Sequence, residues 1–536
     1  MKLSLFFCIT ALISIACALG QIYPSDPSIL TDKGNELLIS GNAEDALKYY
    51  EKAIQASPSY ADAWFGKANA LGKQGKYEES LACLNKCIEI DPSDIAAWNN
   101  KGAALAELGR YKEASACFNE TLSKEPGNTI ALANKAESLL NLGNYKESLI
   151  WIEKALMRDA SSAFSWQIKG KAFFFLGKYK DALDCYNKSL KIDSNSTRIW
   201  IDNGNTLQKL DRQEAALASY DKCIEIDPDN LEAWIEKARI FDDIGKNIDA
   251  LFCSNIIISI APSNISGKKI RARALTNLGQ YQDALLTYEE ITNFAPSDST
   301  AWREQGDILT NLRQSEEALQ SYERALTLNP SDLLALAGKA DSQFNLGKYE
   351  DSIKSYNKYI ETDSSNARVW KNKGDALSKL NRYNLALGSY NESLKNYPLD
   401  ASAWNSKGIA IFTLGRYYEA LQCFNQSLVY NSSNADVWNN KGLSLLALGR
   451  SKEALECYNK SLRINSLDKK ALSGKGSAFA DLGRYEDALI CFSEVTRIDS
   501  NDAAAWNSKG FILERLGRQA EAGAAYARAK DLGYDK

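Results

Sequence analysis

A 34-residue period governs this chain, and it leaves very few architectures open. Counted from Pro27, fifteen consecutive units reach Lys536 with no insertion or deletion. The stretch from Trp98 to Asn128 shows the unit: WNNKGAALAELGRYKEASACFNETLSKEPGN. Trp98, Lys101-Gly102, Leu105 and Leu108 fall at helical spacing, and so do Ala114, Phe118, Thr121 and Leu122. Each pattern is too short to be a stable helix alone in water. Joined at Leu108-Gly109-Arg110-Tyr111 and closed by Glu125-Pro126-Gly127, they predict a helical hairpin, with Gly at the turn and Pro before the next helix.

The same places carry the same residue types along the chain. The fourth place is Trp in ten units: Trp64, Trp98, Trp166, Trp200, Trp234, Trp302, Trp370, Trp404, Trp438 and Trp506. The eighth is Gly or Ala and the twentieth Ala or Ser in all fifteen, and the twenty-fourth is aromatic in twelve. Small residues let two backbones approach while the rings fill the space beside them. Pro closes eight units, from Pro58 to Pro398. This skeleton resembles the tetratricopeptide repeat (TPR) family over all but the first two dozen residues. The resemblance implies an all-α fold, a right-handed α-solenoid superhelix of about fifteen helix-turn-helix units. The first helix of each pair would line a concave groove.

Such an array grows without a single globular core, so the length of 536 residues does not demand several domains. The expected organisation is a signal peptide or membrane anchor over 1–20, a linker over 21–26 and the solenoid over 27–536. Met1 to Gly20 reads as Lys2, an apolar run and then small residues, the pattern of a secretory signal. An uncleaved anchor and a lipoprotein-type cut before Cys17 are the alternatives. Export to the medium or the cell surface is expected, with membrane contact only through an uncleaved N-terminal segment. Eight Asn-x-Ser/Thr sequons fit export, but five share one repeat place (Asn119, Asn187, Asn391, Asn425 and Asn459), where the Ser or Thr serves as a small packing residue.

Several function classes are disfavoured. A formal net charge of −4 gives no strong basic field for nucleic acid. There is no His, so His-dependent triads and zinc motifs are excluded. No G-x-x-x-x-G-K-[ST] loop occurs. We expect no enzyme activity and no cofactor. Of eleven Cys, nine lie at only two repeat places, which predicts buried structural thiols; Cys83 and Cys87 are the sequence-near pair.

The partner should therefore be a protein or peptide held in the groove. In repeat five, Phe174 and Phe175 offer an aromatic patch. Repeats seven and eight are the least regular: Ser254 replaces the aromatic and Lys268 replaces Trp. This suggests a hinge at 245–275, or a basic patch with Lys269 and Arg273 facing the groove. Asp307, Asp341 and Asp375 recur at the ninth place and suggest an acidic ladder. Ile409 and Phe412, then Leu443 and Leu446, turn the same face apolar. The resemblance includes proteins that grip a C-terminal carboxylate through a Lys–Asn pair, but Lys269 precedes Arg273 and Lys371 precedes Asp375, so that clamp is unsupported. The Trp series reads as scaffold, with Trp404→Ala expected to cost about 3–5 kcal/mol. A second reading is a self-assembling cell-surface component: unit fifteen ends at Lys536 without a further capping helix, and two open ends could stack head to tail.

Overall fold

The computed structural model describes residues 26–534. The signal-peptide or anchor segment over 1–20, and the linker up to residue 25, lie outside the described residues. Thirty helices and no strand are present among those described. They alternate as a 13-residue first helix and a second helix of 14 residues (13 in the last repeat), such as Ala163–Phe175 and Tyr179–Ile192 in repeat five. No described helix is long and apolar enough to cross a membrane.

The chain divides into two compact halves, Met1–Ile270 and Arg271–Lys536. The division falls inside the first helix of repeat eight, Ile265–Asn277. Within each half, apart from the helix Ile265–Asn277 where the division falls, every first helix packs on its own second helix, and each second helix packs on the first helix of the next repeat. Successive first helices also touch directly, from repeat one to six in the N-terminal half and from nine to fourteen in the C-terminal half.

Local chemistry sets the helix ends. Asp or Asn at the last place of a repeat, and Ser162 but not Ser196, caps the next first helix: Asp94 accepts from the Ala97 N–H at 2.9 Å, and Asp332 from Ala335 at 3.0 Å. The fifteenth place turns the chain in the left-handed region in every repeat. Gly supplies that conformation in twelve, and Asp211, Arg313 and Asn381 adopt it at φ of 57°, 60° and 58°.

The interior is built on the pairing of the eighth and twenty-fourth places. A Cβ added to Gly374 would lie 2.6 Å from the Tyr390 ring, and one on Gly306 would lie 2.8 Å from Tyr322. Gly338, from the repeat after Tyr322, closes on the other side of that ring at 2.3 Å. Gly374→Ala should therefore destabilise by about 1 kcal/mol, because overpacking outweighs the gain in helix propensity. Urea denaturation of the variant checks it. In repeat seven the ring is replaced by buried Ser254, whose hydroxyl donates to the Leu251 carbonyl at 2.8 Å, and Ile257, one turn on, packs against Gly267.

The nine repeat cysteines are buried free thiols. Burial raises Cys185, Cys223 and Cys253 to about 11 and Cys87 to about 12. Cys83 and Cys87 are both unpaired. The repeat-place sequons sit inside helices with their hydroxyls buried: Ser189, Ser427 and Ser461 donate to Ala163, Ala401 and Ala435 carbonyls at 2.6, 2.7 and 3.1 Å.

Candidate functional site on the inner helix faces

The ninth place of a first helix lies opposite the tyrosine of its own second helix. In the C-terminal half the Tyr322 O–H donates to Asp307 at 2.7 Å and Tyr390 to Asp375 at 2.8 Å; Tyr356 donates to Asp341. Each acid also has a cation. Arg303 reaches Asp307 at 3.3 Å, Arg368 reaches Asp341 at 2.8 Å and Lys371 reaches Asp375 at 2.8 Å. The Asn372 amide adds a further bond to Asp341 at 3.0 Å. Burial raises the Asp307 carboxyl, with the Tyr322 hydroxyl and Arg303 acting against it. The three acids thus stand in a row, but their charge is balanced within the protein rather than presented bare.

Where the ninth place is apolar, the phenol loses its acceptor. Leu443 stands there in repeat thirteen, and the buried Tyr458 hydroxyl has no hydrogen-bond partner. Repeat twelve pairs Ile409 with Phe424 instead, a ring that needs none. Tyr458→Phe should consequently be neutral or stabilising by up to about 1 kcal/mol, since it removes an unsatisfied buried group. Thermal melts of the two proteins side by side test this.

Two adjoining hollows open on this face. One of 340 Å³ is lined by Asp341, Phe344, Asn345, Lys371, Asn372 and Asp375 among others. The next, of 390 Å³, shares Phe344 and Asp375 and extends to Tyr383 and Ile409. Of the four apolar candidates, Ile409 and Leu443 are exposed at 43% and 44%. Phe412 and Leu446 are instead half-buried against the core, with Phe412 beside Tyr417 at 5.1 Å between ring centres.

In the N-terminal half a hollow of 270 Å³ is bounded by the first helices of repeats four, five and six. Phe174 and Phe175 both line it. Phe175 is 55% exposed and stacks on Tyr145 at 5.1 Å, while Phe174 meets it edge-on at 5.7 Å and packs against the core beside Tyr186. Glu137, Lys171, Arg198 and Asp202 complete the wall. Lys269 is half-buried and Arg273 exposed, and they fall on either side of the division between the halves.

Sequence spacing singled out Asp341 and Asp375 but not their cations, nor Glu137, Lys171, Arg198 and Asp202 around the N-terminal hollow. Arg303–Asp307 and Lys371–Asp375 are four apart on one helix and could have been paired by that rule. Arg368, which serves Asp341 from the following repeat, left no such signal. Among the described residues no group of three Cys, Asp or Glu is placed to hold a metal ion.

Family comparisons agree with this architecture. Tetratricopeptide repeat models match residues 37–108, 96–163, 163–196 and 197–230, then 271–332, 304–367, 371–436, 435–466 and 473–533. The chain belongs to the tetratricopeptide repeat family, whose solenoids serve as protein-interaction scaffolds. Among curated sequences, a 36-residue segment is 53% identical to an uncharacterised protein of Methanocaldococcus jannaschii, MJ0572, over 7% of this chain and 42% of that one. Similar solved structures include the APC/C hetero-tetramer Cut9-Hcn1, at 15% identity over 86% of this chain and 97% of the other, with a TM-score of 0.39. MamA from Desulfovibrio magneticus RS-1 matches at 21% identity over 32% of this chain and 96% of its own, TM-score 0.29. YrrB, described as a TPR protein with an unusual peptide-binding site, matches at 24% over 34% and 95%, TM-score 0.29.

Proposed function

We propose that this chain is an exported, non-catalytic scaffold that binds extended protein segments along the inner faces of its first helices. The observation that supports the reading is the pair of adjoining hollows in the C-terminal half, which share Phe344 and Asp375 and lead on to exposed Ile409. Hollows that adjoin along a helix face suit a partner that places successive side chains at intervals. The surrounding acids, already paired, hold a stiff polar lining, so binding need not first order that wall.

A displayed library of random peptides, selected against purified chain, tests the idea. Ile409→Glu combined with Leu443→Glu should weaken the selected peptides at least tenfold. Ile490→Glu, on an exposed second-helix position, should leave them unchanged. Equal loss in both variants, or in neither, would remove the groove from consideration. Light scattering on the same samples over a dilution series reports self-association, and N-terminal sequencing of material from the medium reports export and cleavage.

A further inference from the structure

The two halves treat charge differently on their inner faces. In the C-terminal half the three ladder acids all have a cation and a phenol, as described above. In the hollow of repeats four to six Asp202 accepts from the Gln167 amide at 2.7 Å and pairs with the Lys171 ammonium at 3.4 Å. The Glu137 carboxylate on repeat four and the Arg198 guanidinium on repeat six have no hydrogen bond or ion pair with any described residue. Both line the hollow, with Phe174 and Phe175 of repeat five between them in chain order.

An acid and a base that face one aromatic-lined cavity and attract each other only through space, with no direct ion pair, form an electrostatic pattern with a definite complement. A purely anionic ligand would meet Glu137 and Asp202, and a purely cationic one would meet Arg198 and Lys171. A ligand that carries both charges, held apart by an apolar group, satisfies both. Burial raises the Glu137 carboxyl, while Arg198 and Lys171 act through space to lower it. At 270 Å³ the cavity suits one side chain and its flanks rather than a large cofactor. More than half of Phe175 remains accessible to meet it.

We propose that this hollow receives an aromatic side chain of a bound protein segment, with an acidic residue of that segment at Arg198 and a basic one at Glu137. The assignment rests on the groove-binding reading and gives it a sequence preference in this half. In an extended strand neighbouring residues lie about 3.3 Å apart along the chain, so the two charges belong within two residues of the ring.

The test uses full chain and dye-labelled Gly/Ser dodecapeptides with a central Glu-Phe-Lys, Gln-Phe-Gln or Glu-Ala-Lys, read by fluorescence anisotropy. Glu-Phe-Lys should bind at least tenfold tighter than either other peptide. Arg198→Glu should abolish that preference, and a Lys-Phe-Lys peptide should recover binding to it; Glu137→Gln should weaken Glu-Phe-Lys alone. Circular dichroism melts confirm that each variant is folded. Equal binding of all three peptides, or Glu-Phe-Lys binding indifferent to both substitutions, overturns the proposal. Displacement of the peptide by free phenylalanine at equal concentration also overturns it, in favour of an amino-acid site. Should Glu-Phe-Lys fail while library-selected peptides still respond to Ile409→Glu with Leu443→Glu, only this inference falls. Failure of every peptide removes the groove reading with it.

Discussion

Tyr322→Ala is expected to cost about 4 kcal/mol, the upper part of the range for truncating a buried aromatic. The ring is 1% exposed and sits between Gly306 and Gly338, neither of which has a side chain to collapse into the space. Its hydroxyl donates to Asp307 at 2.7 Å and lies 3.2 Å from the Thr310 hydroxyl. Removing it therefore opens a cavity and also strips a half-buried carboxylate of a donor. Tyr322→Phe separates the two effects and should cost only about 1 kcal/mol. Repeat arrays need not unfold as one cooperative unit, so amide exchange is the proper readout. Protection should fall in Ser299–Asn311, Ser315–Leu328 and Leu333–Asn345 and persist elsewhere. Uniform loss over the whole chain, or a cost under 1 kcal/mol for the Ala variant, would contradict the packing described. The pH dependence has a definite sign. Asp307 is held above the ordinary carboxyl value, so its contribution favours the folded state at low pH and is lost as pH rises through the raised value. Tyr322→Phe removes an opposing donor and should raise that value further.

Trp404→Ala should cost about 3 kcal/mol, the lower end of what a core tryptophan would predict. Trp404 is only half-buried, and its position explains why it still matters. The indole N–H donates to the Pro398 carbonyl at 2.9 Å and fastens the inter-repeat turn to the first helix. All ten tryptophans at this place donate to the carbonyl six residues earlier, whether that residue is Pro, Ser or Ala. The Lys407 ammonium lies 5.0 Å from the ring centre, adding a cation–π contact. Trp404→Phe keeps most of the apolar contact and loses the hydrogen bond, so about 1 kcal/mol is expected. Exchange of the amides from Pro398 to Thr413 reads the effect. If Trp404→Phe equals Trp404→Ala, the clamp carries the cost; if it equals wild type, the indole N–H contributes nothing.

Much of the scaffold was legible because its determinants lie within one repeat. The turn conformation at Gly109 and the approach of Gly102 to Phe118 both depend on residues fewer than 34 positions apart. Repetition made each signal visible fifteen times over. The same regularity exposed the sequon hydroxyls and repeat cysteines as packing groups.

The inner faces were legible only in part. Asp307, Asp341 and Asp375 could be placed in a row from the sequence, yet whether that row is bare or neutralised depends on Tyr and Arg side chains brought in by packing. Arg368 reaches Asp341 from the next repeat, while Arg198, two repeats after Glu137, acts on Glu137 and Asp202 through space without a direct ion pair. By itself the sequence determined the repeat, its helices and its close-packed small residues, because backbone hydrogen bonding and short-range sterics permit one local solution. Only the tertiary structure decided which charges are joined in direct ion pairs and which are not. Long side chains on stacked helices can reach several neighbours, and the actual choice is made by packing across repeats.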